Sequence, residues 1–559
     1  MLARARTFTI EGLQTRAVTV EVDIRAGLPS FTIVGLADAA VREARDRVRS
    51  AILNSGYEFP ERRITANLAP GDIPKVGPGL DLALACAVLA ASGQLPPDRL
   101  ESHALFGELS LDGEVRPCHG TLAIAQAAQE EGLRALVLAG ARAREAALME
   151  SLDVAVAERL SSAARVLSGG PGDPLPAPRP RGEESERLGE EAGWGGGAGH
   201  LDLRDVRGQP QAVEALILAA AGEHNLLLSG PPGTGKTMLA QRLPSILPPL
   251  TRGEAIEVTR IQSITGRLED GELISRRPFR APHHSITTAG LVGGARRGWV
   301  GEVVLAHRGV LFLDELSEFA RPTLEALRQP LEDGRVAIVR ARHSAVYPAR
   351  FALIAATNPC PCGYFGDGEL CNCGEADIAR HRRRLSGPLL DRIDLIAHLQ
   401  RPGARRSARG DEMRGDRSST GLGRGKANAP ADGMRSDRSS AGGGPDRADA
   451  PASTSAEARE RVVAARERQI ARLREEGVSA NAHMDAPMLR RHVALSEGAE
   501  RLLRGAQERG TMSARGIARV LRVARTAADL DASARTREQD VALVLSLRAQ
   551  EAGMGRRAA

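Results

Sequence analysis

The sequence predicts an α/β protein in which a parallel-sheet core follows a smaller mixed αβ domain and precedes a helical bundle. Three observations support this fold class. In the middle of the chain, short apolar runs such as residues 225–229 and 310–313 alternate with helical patterns, which is typical of a doubly wound parallel sheet. Strand-like alternation dominates the first part of the chain, whereas the last part has apolar residues at helical spacing and no strand signal.

Two stretches of unusual composition divide the 559 residues, which are too many for one hydrophobic core. Residues 167–199 are rich in proline, glutamate and glycine, which predicts an interdomain linker. Residues 401–455 contain almost no large apolar side chain and therefore predict a disordered insert. The predicted domains are a mixed αβ domain at 1–166, a parallel-sheet core at 200–400 and a helical domain at 456–555.

In the first domain, alternating apolar residues predict strands, and segments with helical or continuous apolar character predict helices. The predicted strands are residues 8–12, 17–24, 31–34 and 63–68, and the predicted helices are residues 38–54 and 80–91. In the last domain, Ile517, Val520 and Ala524 recur at helical spacing, which predicts a small bundle.

Composition excludes several classes of protein. The chain has a net charge of +6, only 3% aromatic residues and six cysteines. The scarcity of aromatic residues argues against a small module that stacks single-stranded bases, and the cysteine content does not indicate a secreted disulfide framework. The apolar runs are too short to cross a bilayer and the N-terminus has no signal segment, so we expect a soluble cytoplasmic protein without a membrane partner.

The full pattern of a phosphate-binding loop is matched by Gly230, Pro231, Pro232, Gly233, Thr234, Gly235, Lys236 and Thr237. In such a loop, backbone N–H groups surround the phosphates at the start of a helix. Lys236 would reach the β- and γ-phosphates, and the Thr237 hydroxyl would bind Mg²⁺. Lys236 is one of only three lysines in an arginine-rich chain, and a compact ammonium suits this position better than a planar guanidinium.

Two acidic residues, Asp314 and Glu315, follow the predicted strand at 310–313. Because the carboxyl ends of parallel strands lie at one edge of a sheet, we expect these acids beside the phosphate loop. There Asp314 would hold Mg²⁺ and Glu315 would polarise the attacking water. The alternative is a strand that runs into a solvated acidic turn.

Two later polar residues are further candidates. Asn358 follows the apolar run at 351–355, where it would contact the γ-phosphate or the attacking water. The alternative for Asn358 is an amide that caps the next turn. Arg392 stands between acidic residues, and it would form either a surface ion pair or an arginine finger for a neighbouring subunit's nucleotide.

Motifs in all three predicted domains resemble the motifs of a single protein family. They lie at residues 27–35, 67–72 and 106–113 of the first domain, at 279–284, 305–315, 327–332 and 358–363 of the core, and at 513–515 and 521–526 of the last domain. With Phe-Arg-Ala-Pro-His-His at 279–284 and Asn-Pro-Cys-Pro-Cys-Gly at 358–363, the chain resembles the YifB/ComM family of magnesium-chelatase-like AAA+ ATPases.

This resemblance implies an AAA+ ATPase core with a helical lid, and a first domain similar to the proteolytic domain of Lon. It implies ATP and Mg²⁺ as cofactors and assembly into a ring, a hexamer. It assigns the trans-acting finger to Arg392, the first sensor to Asn358 and the lid's sensor arginine to Arg515. Members similar to ComM drive branch migration in natural transformation, so the expected partner is single-stranded, forked or branched DNA.

The resemblance also implies a helix-2 insert within residues 262–298 and a hairpin within 334–350, both projecting into the pore of the ring. Basic residues in these segments would give a cationic channel suited to phosphate backbones. The alternative is a set of ordinary solvated arginines. The basic residues are Arg267, Arg276, Arg277, Arg280, Arg296 and Arg297 in the insert, and Arg335, Arg340, Arg342, His343 and Arg350 in the hairpin.

Four of the six cysteines, Cys360, Cys362, Cys371 and Cys373, fall within fourteen positions. Four thiolates suit a tetrahedral structural Zn²⁺, although the spacing within each pair is tighter than usual. The alternative is a group of reduced cysteines without a metal. His283 and His284 have no ligand partner at suitable spacing, so we expect a pore or subunit contact for them.

Three other functions stay open. A Lon-like ATP-dependent protease needs a serine nucleophile with a lysine base, but residues 75–81, which begin with Lys75, contain no serine. A magnesium-chelatase-like ATPase that remodels a protein partner would share the same core. A nucleotide switch that locks an oligomer would need no turnover, whereas Glu315 predicts turnover.

Overall fold

The structure is a computed structural model that describes residues 2–176, 201–268, 271–294, 300–340, 343–365, 370–384, 387–401, 453–509 and 512–556. Most of the predicted linker and of the predicted disordered insert lies outside these residues. The chain forms two compact units. The first comprises Met1–Gly196, Pro249–Leu313 and Glu318–Leu353, and the second comprises Gly197–Pro248, Asp314–Ser317 and Ile354–Ala559. The division into domains at 1–166, 200–400 and 456–555 stays a prediction.

The first part of the chain builds a seven-stranded sheet in the order β3-β4-β2-β1-β5-β8-β9, with a separate two-stranded ribbon of β6 and β7. Its strands are β1 (Leu2–Glu11), β2 (Gln14–Arg25), β3 (Ser30–Val34), β4 (Arg63–Ala69), β5 (His103–Leu105), β6 (Glu108–Leu109), β7 (Val115–Arg116), β8 (Ala135–Leu138) and β9 (Asp153–Val156). Its helices are α1 (Ala39–Asn54), α2 (Asp81–Ala91), α3 (Thr121–Glu130), α4 (Ala143–Ala146) and α5 (Leu160–Leu167).

These elements agree with the predicted segments except at the N-terminus. The strand expected from residue 8 begins at Leu2, because Ala3 and Ala5 are buried while Arg4 points to the exposed side. Small apolar residues on alternate positions are enough for a strand when the partner strand β2 covers them. Helix α2 is buried along its whole length, as its continuous apolar run predicts.

The middle of the chain alternates strands with mostly short helices. The strands are β10 (Leu226–Ser229), β11 (Phe279–Arg280), β12 (Val310–Leu313), β13 (Arg335–Arg340), β14 (His343–Pro348), β15 (Ala352–Thr357) and β16 (Leu395–His398). The helices are α6 (Pro210–Gly222), α7 (Lys236–Ala240), α8 (Leu243–Ile246), α9 (Arg252–Ile264), α10 (Thr288–Val292), α11 (Glu302–Leu305), α12 (Arg321–Glu325), α13 (Arg328–Asp333), α14 (Glu375–Arg384) and α15 (Gly387–Leu390).

In the second unit, β10 pairs in parallel with β15 on one side and with β16 on the other. Ser229 at the end of β10 stands in register with Thr357 and His398. All four residues of β10 are buried, as expected for the central strand of a parallel sheet. In the first unit, β11 pairs in parallel with β12, and β13 and β14 form the hairpin expected within 334–350. The parallel-sheet core predicted from the sequence is therefore confirmed.

The last part of the chain is helical, and no strand occurs within residues 453–509 and 512–556 that the structure describes. The helices are α16 (Ser455–Leu473), α17 (Ala486–His492), α18 (Glu497–Glu508), α19 (Ala514–Leu530) and α20 (Glu538–Arg556). Among all described residues, no helix combines the length and the apolar character needed to cross a membrane.

A buried ionic network ties these helices together around Asp529 of α19, which is fully buried. Its carboxylate accepts hydrogen bonds from Arg525 at 2.9 and 3.2 Å, from Arg472 of α16 at 2.7 and 2.8 Å, and from the Asn481 amide at 2.8 Å. A buried carboxylate is tolerated only when such donors replace its lost water. The motif at 521–526 thus has a packing role, because Arg525 is also buried.

We predict that Asp529→Ala lowers the free energy of unfolding by about 3–5 kcal/mol, because it leaves the buried guanidinium of Arg525 and the half-buried guanidinium of Arg472 without their carboxylate. Chemical denaturation of the full chain measures this value. The matched control is Asp531→Ala, whose carboxylate is 45% exposed beside Arg537 and should contribute less than about 1 kcal/mol. Equal effects of the two substitutions would contradict the importance of the network.

Candidate active site

The candidate phosphate loop lies in the second unit, directly after the buried strand β10. Gly233 and Gly235 have φ values of +74° and +87°, in the left-handed region that favours glycine. This conformation curls the loop so that helix α7 begins at Lys236. The local geometry is the one that presents backbone N–H groups to an anion.

The Lys236 ammonium lies at the centre of the loop. Its Nζ donates hydrogen bonds to the carbonyl oxygens of Gly230 at 2.7 Å and Pro231 at 2.9 Å, and to Oδ1 of Asn358 at 3.0 Å. Burial lowers the pKa of Lys236 below its ordinary value, while the negative charges of Asp314 and Glu315 act in the opposite direction. The ammonium is therefore held in place by three oxygen acceptors, two from its own loop and one from Asn358, which follows the neighbouring strand β15.

The Thr237 hydroxyl donates to Oδ2 of Asp314 at 2.6 Å. Neighbouring oxygen ligands of an octahedral Mg²⁺ lie about 3.0 Å apart, since each bond is about 2.1 Å long. The hydroxyl and the carboxylate oxygen, which are hydrogen-bonded at 2.6 Å, would have to separate by about 0.4 Å to occupy two adjacent positions around Mg²⁺. Such an ion would neutralise phosphate charge during hydrolysis.

Glu315, the predicted base, is exposed and has a φ of +52°. This left-handed conformation costs a non-glycine residue about 1–2 kcal/mol. Its backbone N–H donates to Oδ1 of Asp314 at 2.9 Å, which orients the Asp314 carboxylate. Strain of this kind at the end of a strand is typical of functional turns.

Asn358 follows β15, and the structure brings its amide into contact with Lys236 as described above. Its backbone carbonyl also accepts a hydrogen bond from Nε2 of His381 at 3.0 Å. His381 is buried in α14 and was not identified from the sequence. The available signal was a single histidine within an otherwise arginine-rich helix, which does not identify its partner.

Arg392 lies at the other end of the strands. Its carbonyl accepts a hydrogen bond from the Asn225 side chain at 2.8 Å, and Asn225 immediately precedes β10. The phosphate loop follows the opposite end of β10, about 13 Å away for four residues at about 3.3 Å each. Asp394, two residues further on, is buried and accepts from the Asn225 N–H at 3.2 Å. The structure thus does not place Arg392 beside the phosphate loop of its own chain.

Arg515 is exposed in the first turn of α19, where the Ser513 hydroxyl caps the helix. It makes no hydrogen bond or ion pair with any residue that the structure describes. Arg519, one turn later, instead donates to the carbonyl oxygens of Leu390 and Ile393 at 3.3 and 3.2 Å. Arg519 therefore fastens α19 to the turn that carries Arg392, a contact that sequence spacing alone does not indicate.

The four clustered cysteines converge. Cys360 Sγ lies 3.3 Å from Cys362 Sγ and 3.9 Å from Cys371 Sγ, and Cys362 Sγ lies 3.7 Å from Cys371 Sγ. Together with Cys373, all four sulfur atoms lie within 4.8 Å of one another. None of these cysteines is in a disulfide. We refer to Cys360, Cys362, Cys371 and Cys373 as the cysteine cluster.

The basic segments of the first unit are only partly solvated. Arg280 is buried and pairs with Glu302 at 2.6 Å, and Arg277 pairs with Glu254 at 2.9 Å, so both are engaged in ion pairs within the chain. This corrects the expectation that all arginines of the insert face a channel. Exposed arginines remain at Arg267, Arg276, Arg335 and Arg350. Arg296, Arg297 and Arg342 lie outside the described residues, as do the side chains of Arg340 and His343.

The two adjacent histidines are close to each other, with ring centroids 4.0 Å apart. Nδ1 of His283 and the Ser285 hydroxyl are 2.8 Å apart. Neither histidine belongs to the group of metal-ligating residues found among the described part of the chain. A pore or subunit contact for these side chains stays a prediction.

Lys75 of the first unit is buried, and its ammonium donates to the carbonyl oxygen of Pro70. Burial lowers its pKa. No serine or threonine hydroxyl among the described residues bonds to this ammonium. Within the described part of the chain, Lys75 therefore has no hydroxyl partner that could form a serine–lysine dyad with it.

Three family models match the chain in succession. "Subunit ChlI of Mg-chelatase" matches residues 20–142, "Magnesium chelatase, subunit ChlI" matches residues 202–406, and "Magnesium chelatase, subunit ChlI C-terminal" matches residues 452–548. Similar proteins align over nearly the whole length. The uncharacterized protein Rv2897c of Mycobacterium tuberculosis is 42% identical over 98% of both chains.

Two further relatives carry the family names. The protein YifB of Escherichia coli is 40% identical over 96% of this chain and 95% of its own length. The competence protein ComM of Haemophilus influenzae is 39% identical over 96% of each chain. The chain belongs to the YifB/ComM family of magnesium-chelatase-like ATPases. Membership of the YifB/ComM family implies ATP hydrolysis with ATP and Mg²⁺, and the roles of individual site residues stay predictions.

We predict that Glu315→Gln binds ATP but hydrolyses it about 10²–10⁴-fold more slowly, because the amide cannot accept a proton from water. Single-turnover hydrolysis and a fluorescent ATP analogue measure the two properties separately. Glu318→Gln, an exposed acid three residues later, is the matched control and should hydrolyse ATP normally. Normal turnover in Glu315→Gln would show that this carboxylate is not the base.

Proposed function

We propose that this protein is a ring-forming, hexameric ATPase motor that moves on DNA and drives branch migration during recombination in natural transformation. ATP binding would involve the loop from Gly230 to Thr237, with Lys236 on the phosphates and Thr237 and Asp314 on Mg²⁺. Glu315 would activate water, and Asn358 would contact the γ-phosphate or that water. Arg515 would act as the sensor of the lid.

The proposal of a ring rests on the position of Arg392. The backbone of Arg392 lies about 13 Å from the loop of its own chain, at the far edge of β10, and the residue is half-buried. In a head-to-tail ring, which is the heterologous contact that closes, this edge would face the nucleotide of another copy. Arg392 would therefore complete the active site of the neighbouring subunit.

Two observations support DNA as the partner. A relative of nearly equal length is named a competence protein, and exposed arginines lie in the insert and the hairpin. Copies of Arg267, Arg276 and Arg335 repeated around a ring would favour a phosphate backbone, chiefly through release of counterions. Arg277 and Arg280 take no part because they are paired within the chain.

A second candidate function rests on the family models, whose descriptions name a subunit of magnesium chelatase. In that case, the same ATPase would remodel a protein partner and DNA would leave its turnover unchanged. The cysteine cluster belongs to either candidate. We propose that it holds a structural Zn²⁺, because sulfur atoms around a tetrahedral zinc lie about 3.8 Å apart when each Zn–S bond is about 2.3 Å.

We predict that DNA stimulates ATP hydrolysis and that the protein moves the branch point of four-way DNA, with Lys236→Ala inactive in both assays. Arg276→Ala and Arg335→Ala should each flatten the salt dependence of DNA binding, by about one in the slope of log K against log salt for each lost phosphate contact. Arg62→Ala, an exposed arginine outside both segments, is the charge-matched control. Turnover that no DNA alters at low salt would favour the protein-remodelling candidate instead.

We predict that Lys236→Ala and Arg392→Ala subunits are each inactive alone but recover ATP hydrolysis when mixed. In randomly mixed rings, about a quarter of the sites combine an intact lysine from one subunit with an intact arginine from the next. Activity near a quarter of the unmodified protein is therefore expected after mixing and reassembly. If Arg392 served the nucleotide of its own chain, the mixture would stay inactive.

A further inference from the structure

The cysteine cluster lies within the same unit as the candidate nucleotide site and is joined to it on two sides. Asn358 precedes Cys360 by two residues, and its side chain accepts from Lys236 at 3.0 Å. Helix α14 begins two residues after Cys373, and its His381 donates to the Asn358 carbonyl at 3.0 Å. The chain therefore leaves the site at Asn358, passes through all four cysteines and returns to Asn358 through a buried histidine.

The cysteine cluster also contacts the phosphate loop directly. Gly363 follows Cys362 and has a φ of +87°, and its N–H bonds the Cys360 carbonyl at 3.0 Å. A Cβ on Gly363 would lie 2.6 Å from Cδ of Pro232 in the loop. This separation is too short for any side chain, so the turn from Cys360 to Gly363 packs directly against the phosphate loop.

We propose that the metal-bound cysteine cluster is a clamp that holds Asn358 and the phosphate loop in their binding positions, so that ATP affinity depends on the metal. Zn²⁺ binding would replace thiol protons with four Zn–S bonds and fix the turn at Gly363 and the start of α14. Without the metal, the turn and α14 lose their common anchor. The loop would then lose its contact at Pro232, and Asn358 would lose its contact from His381.

This inference rests on the proposed zinc site, and two kinds of variant test the zinc site and the clamp separately. Gly363→Ala and His381→Phe leave all four thiols in place and alter contacts with the nucleotide site. The zinc content shows whether the added Cβ at the positive φ of Gly363 also disturbs the ligands. Cys371→Ser removes one ligand. Gly374→Ala is the matched control, because a Cβ there meets only the Asp377 carboxylate at an ordinary 3.7 Å.

The experiment uses the full chain purified without chelator. Zinc and iron per chain are measured by elemental analysis, and Kd values for ATP and ADP by fluorescent analogues with Mg²⁺. We expect one zinc in the unmodified protein, in Gly363→Ala, in His381→Phe and in Gly374→Ala, and a loss of zinc in Cys371→Ser. Thermal unfolding of each variant identifies any that fails to fold.

The Kd values test the clamp. Gly363→Ala should raise the Kd of both nucleotides about tenfold while zinc is retained, because it displaces the loop. His381→Phe should raise the Kd of ATP and leave that of ADP unchanged, because Asn358 is predicted to contact the γ-phosphate. In His381→Phe, a merely structural loss of packing would instead raise the Kd of both nucleotides equally. Gly374→Ala should bind like the unmodified protein.

Two other results would overturn the inference in different ways. In the first, the unmodified protein contains zinc, but Gly363→Ala and His381→Phe bind ATP with normal affinity. This result would support the zinc site and contradict the clamp. In the second, the unmodified protein has four intact thiols and contains no zinc, or contains iron instead. This result would contradict both the zinc site and the clamp, but it would not affect the proposal of DNA-stimulated hydrolysis. If Cys371→Ser does not fold, Gly363→Ala and His381→Phe still decide the question.

Discussion

Strand β10 hydrogen-bonds in parallel to β15 on one side and to β16 on the other, and the candidate site depends on this pairing. Because all three strands run in the same direction, the phosphate loop after β10 and Asn358 after β15 emerge at one edge. The same rule sends Arg392, which precedes β16, to the opposite edge. A single backbone constraint therefore brings Lys236 to Asn358 and separates the Arg392 backbone from the phosphate loop of the same chain.

The helical part of the second unit is held by buried and half-buried polar contacts. Asp529 is fully buried but has donors from both α16 and α19, so its charge is compensated. Nε2 of His224, just before β10, lies 2.8 Å from the hydroxyl of Thr526, which connects α19 to the start of the central strand. Since unpaired groups of this kind are costly when buried, these contacts allow few alternative packings of the helices.

The sequence predicts much of this arrangement because its signals are local. The phosphate loop, the acids after 310–313 and Asn358 each follow an apolar strand, so parallel packing was enough to predict that they meet. The arginines of the insert show where such reasoning fails. Arg277 and Arg280 have the composition of a solvated basic segment, yet their partners Glu254 and Glu302 are more than twenty residues away in the chain.

By itself, the sequence determined the fold class, the family and the chemical identity of the candidate site, because strand periodicity and the phosphate loop are encoded over a few residues. Only the tertiary structure decided which charges are already neutralised, that His381 supports Asn358, and that Gly363 touches Pro232. Those contacts join residues far apart in the chain or depend on a backbone conformation. No local pattern of residues specifies such a contact, because it exists only after the strands and helices have packed.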